Sequence, residues 1–238
     1  MANFPFQRLQ ADLASLINKT PAGQRLPSEP DLAKQLGVSR ATLREAMRSF
    51  ETQGLIRRRQ GSGTFVVGKV QALDSGLEVL ESLDTIAKRM GLERSVSDLN
   101  IESVTADEEM AQSLEVPLGA NLTRVRRVVR ADSRPVAYLV DVLPDDILHP
   151  KDLPSDFNGS VLDYLLDRGD VLATSRANVS AIGASADVAK PLEIQRGDVL
   201  LHFHAQLYDG NGKIVDSSLS YFITGYFHFH IVRRVGKG

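Results

Sequence analysis

The stretch that most constrains the fold is residues 23–67, GQRLPSEPDLAKQLGVSRATLREAMRSFETQGLIRRRQGSGTFVV, where two short helices are set off by caps and a tight turn. Ser28 stands as an N-cap, since a serine oxygen there accepts from a first-turn amide that has no other partner. Leu32, Ala33 and Leu36 then give one apolar face, and Gly37 tolerates the left-handed conformation in which such helices end. Ser39 is the second N-cap. After it Leu43, Ala46, Met47 and Phe50 recur at the spacing of one buried helical face, which leaves Arg40, Thr42, Arg44 and Arg48 on the other.

A helix, a short turn and a second helix with arginine and threonine near its start is the arrangement that carries a helix N-terminus into the major groove of DNA. Arginine suits guanine because its planar fork donates to both O6 and N7, while hydroxyls and main-chain amides hold phosphates. Beyond Gly54 and the apolar pair Leu55 and Ile56, a basic hairpin is expected. Arg57, Arg58 and Arg59 supply its charge, and Gly61, Ser62, Gly63 and Thr64 its tip, where glycines permit positive φ and close approach to a sugar-phosphate backbone. The bland alternative is that the same arginines form a solvated helix face.

Charge separates the two parts of the chain. Residues 1–67 hold ten Lys+Arg and five Asp+Glu, whereas residues 68–238 hold 18 and 25, so a net of −2 conceals a basic start and an acidic remainder. The start suits a polyanion; the remainder is poorly fitted to a second nucleic-acid surface, which needs lysine and arginine at each phosphate. Cysteine is absent, which excludes a disulfide framework and a thiolate metal site. There is no long apolar run and no basic-then-apolar leader, so no membrane association is expected and the cytoplasm is the expected location. No glycine-rich phosphate loop, nucleophile motif or matched acid–base pair is visible, so no catalytic residues and no cofactor are expected.

Around this centre the chain divides into three expected segments: 1–67, a linker over 68–94, and 95–238. Phe6, Leu9, Leu13, Leu16 and Ile17 predict a first helix. Leu73, Leu77, Leu80, Leu83, Ile86 and Met90 predict an amphipathic helix in the linker, lying against a flanking domain or a partner subunit. The last segment changes to β-branched runs over 99–104, 122–129, 135–142, 173–182, 199–208 and 213–222, with a further one over 227–232. Hairpins are expected at Ala131, Asp132, Ser133, Arg134 and at Asp209, Gly210, Asn211, Gly212, and helices over 106–114, 161–167 and 184–192. The fold class is α+β on a mainly antiparallel sheet. A faint repeat runs through it, in which a helix ends at Pro117–Ala120 or Pro191–Gly197 and a hairpin follows.

The pattern LPSExxLAxxLGVSRxTLREA…LExxGLIxxxxGxGTFV resembles the winged helix-turn-helix of the GntR family of bacterial transcription regulators. The resemblance implies that Arg40, Thr42 and Arg44 contact the major groove and that the wing around Gly61 to Thr64 reaches the minor groove. The order helix, PLG-like turn, strand, ADG-like turn, strand resembles the UTRA ligand-sensing domain of the HutC branch, whose fold is similar to chorismate lyase. Together these imply a homodimeric repressor on double-stranded, palindromic operator DNA that answers to a small-molecule effector, an anion being one candidate. An enzyme of chorismate-lyase-like fold is the weaker alternative. In many such sensors of phosphosugars, Arg-x-Arg precedes the ADG-like turn and a glutamate follows it. Here those positions hold Arg127, Val129 and Leu139, so a phosphosugar is less expected. The effector positions the resemblance carries over are Ser95, Ser97, Arg127, Ser160, Asp216 and Tyr221.

Several of these have alternatives. Ser160 is either a helix N-cap or part of an anion site at a helix start. Strand alternation sets Arg127 apart from Arg124, Arg126 and Arg130, as a ligand contact or as the partner of a buried carboxylate such as Asp216. The pairs His202/His204 and His228/His230 admit a metal-responsive regulator, or are simply strand residues interleaved with core-facing Phe203 and Phe229.

Overall fold

The computed structural model of the chain describes residues 4–52, 54–59, 62–67 and 73–232. They form two compact units, one holding the residues up to 67 with Thr224–His228, the other holding the rest.

The first unit has three helices, α1 (Phe4–Lys19), α2 (Glu29–Gln35) and α3 (Arg40–Thr52), then a two-stranded hairpin, β1 (Ile56–Arg59) and β2 (Gly63–Val66). Leu9, Leu13 and Ile17 of α1, Leu32 and Ala33 of α2, and Leu43, Ala46, Met47 and Phe50 of α3 close on one another and on Ile56 and Val66 in one apolar core. The two turns form as their residues require. Gly37 has φ +66° between α2 and α3, and Gly54 has φ +71° between α3 and β1. Residues 23–26 add a third edge to the hairpin: Gly23 N–H donates to the Val66 carbonyl and Leu26 N–H to that of Thr64, both at 2.8 Å.

In the second unit the expected linker helix is not formed over its full stripe. Leu73 lies in a strand, β3 (Leu73–Gly76), and helix begins only at α4 (Leu83–Arg89), capped by Ser82. Leu77 and Leu80, which the stripe would bury, are exposed. Gly76 and the extended Ser82 interrupt the periodicity that those leucines suggest.

A six-stranded antiparallel sheet follows, built from β4 (Arg94–Thr105), β5 (Asn121–Ala131), β6 (Arg134–Pro144), β7 (Leu172–Gly183), β8 (Val199–Asp209) and β9 (Ile214–Ile223). Its order β4-β5-β6-β9-β8-β7 places two copies of one pattern, strand, helix and hairpin, back to back. The helices after β4 and β7 are α5 (Glu108–Leu114) and the shorter α7 (Ala186–Ala189). Both are followed by a residue at positive φ, Glu115 or Glu193, and then by a glycine, Gly119 or Gly197, whose N–H donates back to Ala106 or Ala184. The repeat therefore aligns Gly119 with Gly197, and Pro117 with Gln195 rather than with Pro191. The β5–β6 turn has Asp132 and Ser133 both at positive φ, and in the β8–β9 turn the Asp209 carboxylate accepts from Asn211 and Lys213 N–H at 2.9 and 2.8 Å.

The helix α6 (Val161–Arg168) buries Val161 and Leu165 against Val125, Leu143 and Leu207. α5 buries Leu114 against Leu122, Val142 and Ile214. Within the second unit, Leu77 N–H donates to the carbonyl of His230, the last residue of a short strand, β10 (Phe227–His230), at 2.9 Å.

Leu43 has no exposed surface and sits one turn into the helix that carries Arg40 and Arg44. Leu43→Ala is expected to destabilise the first unit by about 2–5 kcal/mol, the cost of a cavity in a closed core, read as a lower urea midpoint.

Candidate nucleic-acid interface and effector cavity

The start of α3 is held by its cap. Ser39 Oγ accepts from Thr42 N–H at 3.1 Å and lies 2.8 Å from Thr42 Oγ1, while Ser28 Oγ accepts from Asp31 N–H at 3.4 Å and bonds the Asp31 carboxylate. These hydroxyls fix the two helix entries. Arg40, Thr42 and Arg44 are exposed together at the start of α3, as alternation with Leu43, Ala46 and Met47 requires, and Arg48 is half-buried beside Glu45.

Glu29, in the first turn of α2, ties this surface together. Its carboxylate accepts from Arg44 Nε at 2.6 Å and lies 3.6 Å from Arg58 Nε, which is equally near Glu51. Arg58 N–H also donates to Glu51 at 3.2 Å. Arg58, expected as a wing cation, is thus a half-buried brace between β1 and the helices, and Arg57 and Arg59 are the exposed cations of that strand. Arg59 lies over the Phe65 ring at 5.2 Å.

Of the wing-tip residues, Ser62 is exposed and Gly63 has φ +110°, but Thr64 is turned inward and only 6% exposed, so its side chain faces the core rather than a groove. Gly61 lies outside the described residues. Arg25, which the sequence reading passed over, is exposed and its guanidinium rests against Gly63, where a Cβ would collide with it. Its backbone bridge to Phe65 puts it at the wing. Only the fold brings these two distant positions together.

In the second unit a cavity of about 740 Å³ opens on one face of the sheet. Arg127, Asp216 and Ser160 line it, together with Arg94, Asp84 and Asp141, which the sequence reading did not select. Apolar walls come from Val96, Leu139, Phe203, Phe222 and Phe229. Ser95, Ser97 and Tyr221 are placed elsewhere. Arg94 and Val96 face the cavity, so Ser95 and Ser97 alternate away from it, and Ser97 Oγ accepts from Arg130 Nε at 2.7 Å. On β9 the cavity-facing residues are Asp216, Ser218, Ser220 and Phe222, which turns Tyr221 to the opposite face. There it packs 6.0 Å from the Tyr138 ring and 4.8 Å from that of His202.

The cavity's two arginines are already compensated. Arg127 is buried and pairs with Asp141; Arg94 pairs with Asp84. Burial, and the Arg127 guanidinium beside it, bring Arg94 down to about 10. Arg124 and Arg126 instead share Glu102, in agreement with the alternation that isolates Arg127. Burial first, and the neighbouring Asp141 carboxylate second, push the Asp216 carboxyl well above the usual range. Its Oδ1 has no hydrogen-bond partner, and neither has Arg94 Nε.

Ser160 is the N-cap of α6, accepting from Asp163 N–H at 3.4 Å and donating to the Asp163 carboxylate at 2.8 Å. Ser82, the N-cap of α4, donates to the same carboxylate at 2.7 Å. Two helix starts therefore converge on Asp163. With its proton committed, Ser160 retains acceptor capacity toward the cavity.

The histidines do not assemble a metal centre: among the described residues no three His, Cys, Asp or Glu side chains are grouped to hold an ion. His204 lies 3.4 Å from Ser113 Oγ, and His202 faces Tyr221 and Ser180. His230 approaches Asp74 at 3.1 Å.

Two family patterns match this chain, "Bacterial regulatory proteins, gntR family" over residues 6–66 and "UTRA domain" over residues 89–228. The chain belongs to the GntR family of regulators that carry a UTRA domain. It is 27% identical over 197 residues to the HTH-type transcriptional repressor NagR of Bacillus subtilis, covering 82% of this chain and 79% of that one. It is 28% identical over 199 residues to the histidine utilization repressor of Pseudomonas putida, at 84% and 79% coverage. PhnF of Mycobacterium smegmatis has a similar fold, with TM-score 0.65 and 23% identity over 96% of this chain and 100% of that one. The family and these relatives are transcription regulators, not enzymes. No helix among the described residues is long and apolar enough to cross a membrane.

Because burial and the neighbouring Asp141 raise the folded Asp216 carboxyl above that of an unfolded aspartate, whose pKa is about 3.9, its contribution is present at low pH and is lost as pH rises through the raised value. Asp216→Asn is therefore expected to melt at a higher temperature than the parent at pH 8, the difference vanishing near pH ~4. A less stable variant at pH 8 would mean that Asp216 is ionised and held by Arg127.

Proposed function

We propose that this GntR regulator is a cytoplasmic homodimeric repressor that binds a palindromic operator and releases or repositions on it when a small molecule fills the UTRA cavity. The observation that carries the reading is the clustering of Arg40, Thr42 and Arg44 at the capped, exposed start of α3, beside a wing bearing Arg25, Arg57 and Arg59. One such helix reads only a few base pairs, and a two-fold pair supplies the remaining specificity.

The reading assigns the wing's exposed cations to phosphates and the minor groove, and the α3 residues to base edges. Glu29 competes with the DNA for Arg44, so that side chain exchanges one partner for another on binding. The effector meets compensated arginines, an Asp216 carboxyl whose burial disfavours its charged form, and the Ser160 acceptor among apolar walls. This favours a ligand held by a few hydrogen bonds and apolar contact over one gripped by a free cationic clamp.

The test is a gel-shift titration on promoter fragments at several salt concentrations. Arg40→Ala and Arg44→Ala are each expected to weaken specific binding by about 1–3 kcal/mol if they hold bases. The thermal shift produced by any metabolite that stabilises the parent should be unchanged. Binding that is independent of sequence, or equal loss of DNA and ligand binding in folded variants, would refute the division of labour.

A further inference from the structure

The residues that line the cavity carry more acid than base. Glu78, Glu81, Asp84, Asp141 and Asp216 stand against only Arg94 and Arg127. Arg127 is taken by Asp141 and Arg94 by Asp84, while Glu81 pairs with Arg89, which does not line the cavity. Glu78 is exposed and accepts from Val232 N–H. Asp216 differs from all of these. It is 6% exposed, neither arginine's ion pair includes it, and its Oδ1 has no hydrogen-bond partner.

The sheet beside Asp216 leaves room for the body of a ligand. Asp216, Ser218 and Ser220 follow one another along the cavity face of β9. Ser218 is opposite Asp141 on β6 and Ala205 on β8, and Ala205 is opposite Ala177 on β7. A strip of small side chains therefore crosses the sheet next to the carboxyl. Ser220 in turn is opposite Phe203, whose ring centroid lies 5.3 Å from that of Phe222 and 4.9 Å from that of Phe229. At about 3.3 Å per residue along a strand, the row of Asp216 is roughly 13 Å from the row of Ser220 and Phe203.

We propose that the cavity binds an organic cation, a primary ammonium or amidinium on an apolar body, with Asp216 as its counter-ion and the phenylalanine cluster receiving the far end. This rests on the effector reading above and names the chemical class of the ligand. An N–H donor fits Oδ1, an acceptor with no donor from the protein, and a positive charge offsets the acidic excess that an anion would increase. Each arginine would have to give up a carboxylate before it could grip an anion with both arms of its fork. A cation also favours the charged form of the carboxyl beside it, against the burial and the Asp141 neighbour that disfavour that form. The serines and alanines of the floor and the rings beyond them hold the body by contact.

The test is calorimetric titration of the full-length protein with phenylbutylamine, phenylbutanol and phenylbutyrate, which put a cationic, a neutral and an anionic head on one body. The amine is expected to bind most tightly and the carboxylate least. In Asp216→Asn the amine should weaken by about tenfold or more, the loss of a charge-assisted hydrogen bond, while the alcohol binds as it does to the parent. Ser218→Leu, which fills the floor without touching a charge, should exclude all three probes from a folded protein. Tightest binding of the carboxylate, unchanged amine affinity in folded Asp216→Asn or Ser218→Leu, or a parent that binds none of the probes would each overturn the cation class and leave the effector reading to its own test. Amine binding that leaves operator affinity unchanged in the gel shift would count against the effector reading instead and leave the cation class standing.

Discussion

Arg127, Asp141 and Asp216, with the Arg94–Asp84 pair beside them, impose the constraint that the second unit satisfies throughout. Charges withdrawn from water must meet opposite charges or lose them. Arg127 lies on β5, Asp141 on β6 and Asp216 on β9, so the three neighbours must stand in one register for the cluster to close. Arg94 ties β4 to α4 through Asp84, which fixes that helix at the cavity's rim. The pairing then sets the cavity's character: each guanidinium that lines it has a carboxylate, and burial disfavours the charged form of Asp216.

In the DNA-binding unit the corresponding device is Glu29. A carboxylate in the first turn of α2 is already favoured by the helix dipole, and there it reaches Arg44 of α3 and Arg58 of β1. One acidic residue thus sets the angle between the helices and the hairpin. Arg58 is held inside this arrangement, while Arg25 emerges at the wing from a loop some forty residues away in sequence, an approximate separation readable in the chain itself.

Much of the fold was legible because its elements are amphipathic in the simplest way. The buried set on α3 followed from helical spacing, the sheet strands from their β-branched runs, and the tight hairpin from Asp132 and Ser133. Alternation also contained more than was taken from it. Asp216 and Tyr221 differ by an odd number of residues on one strand, so they could not both face the cavity. The same parity separates Arg94 and Val96 from Ser95 and Ser97. A lone Asp141 inside the apolar run of β6 was a visible sign of a buried charge partner. The leucine stripe over 73–90 misled because a helical period is also met by chance across a strand, a bend and a short helix. Gly76 and the Ser82 cap were the local evidence for the break.

The two-part organisation, the capped helix after Ser39 and the alternation that singles out Arg127 were determined by the sequence, because these depend on interactions between near neighbours or on a repeating period. Tertiary structure alone decided which carboxylate Arg127 meets, that Arg58 braces while Arg25 emerges at the wing, and that Thr64 turns inward. Those outcomes depend on groups far apart in the chain, whose proximity is set by strand order and register and is not encoded in any local pattern.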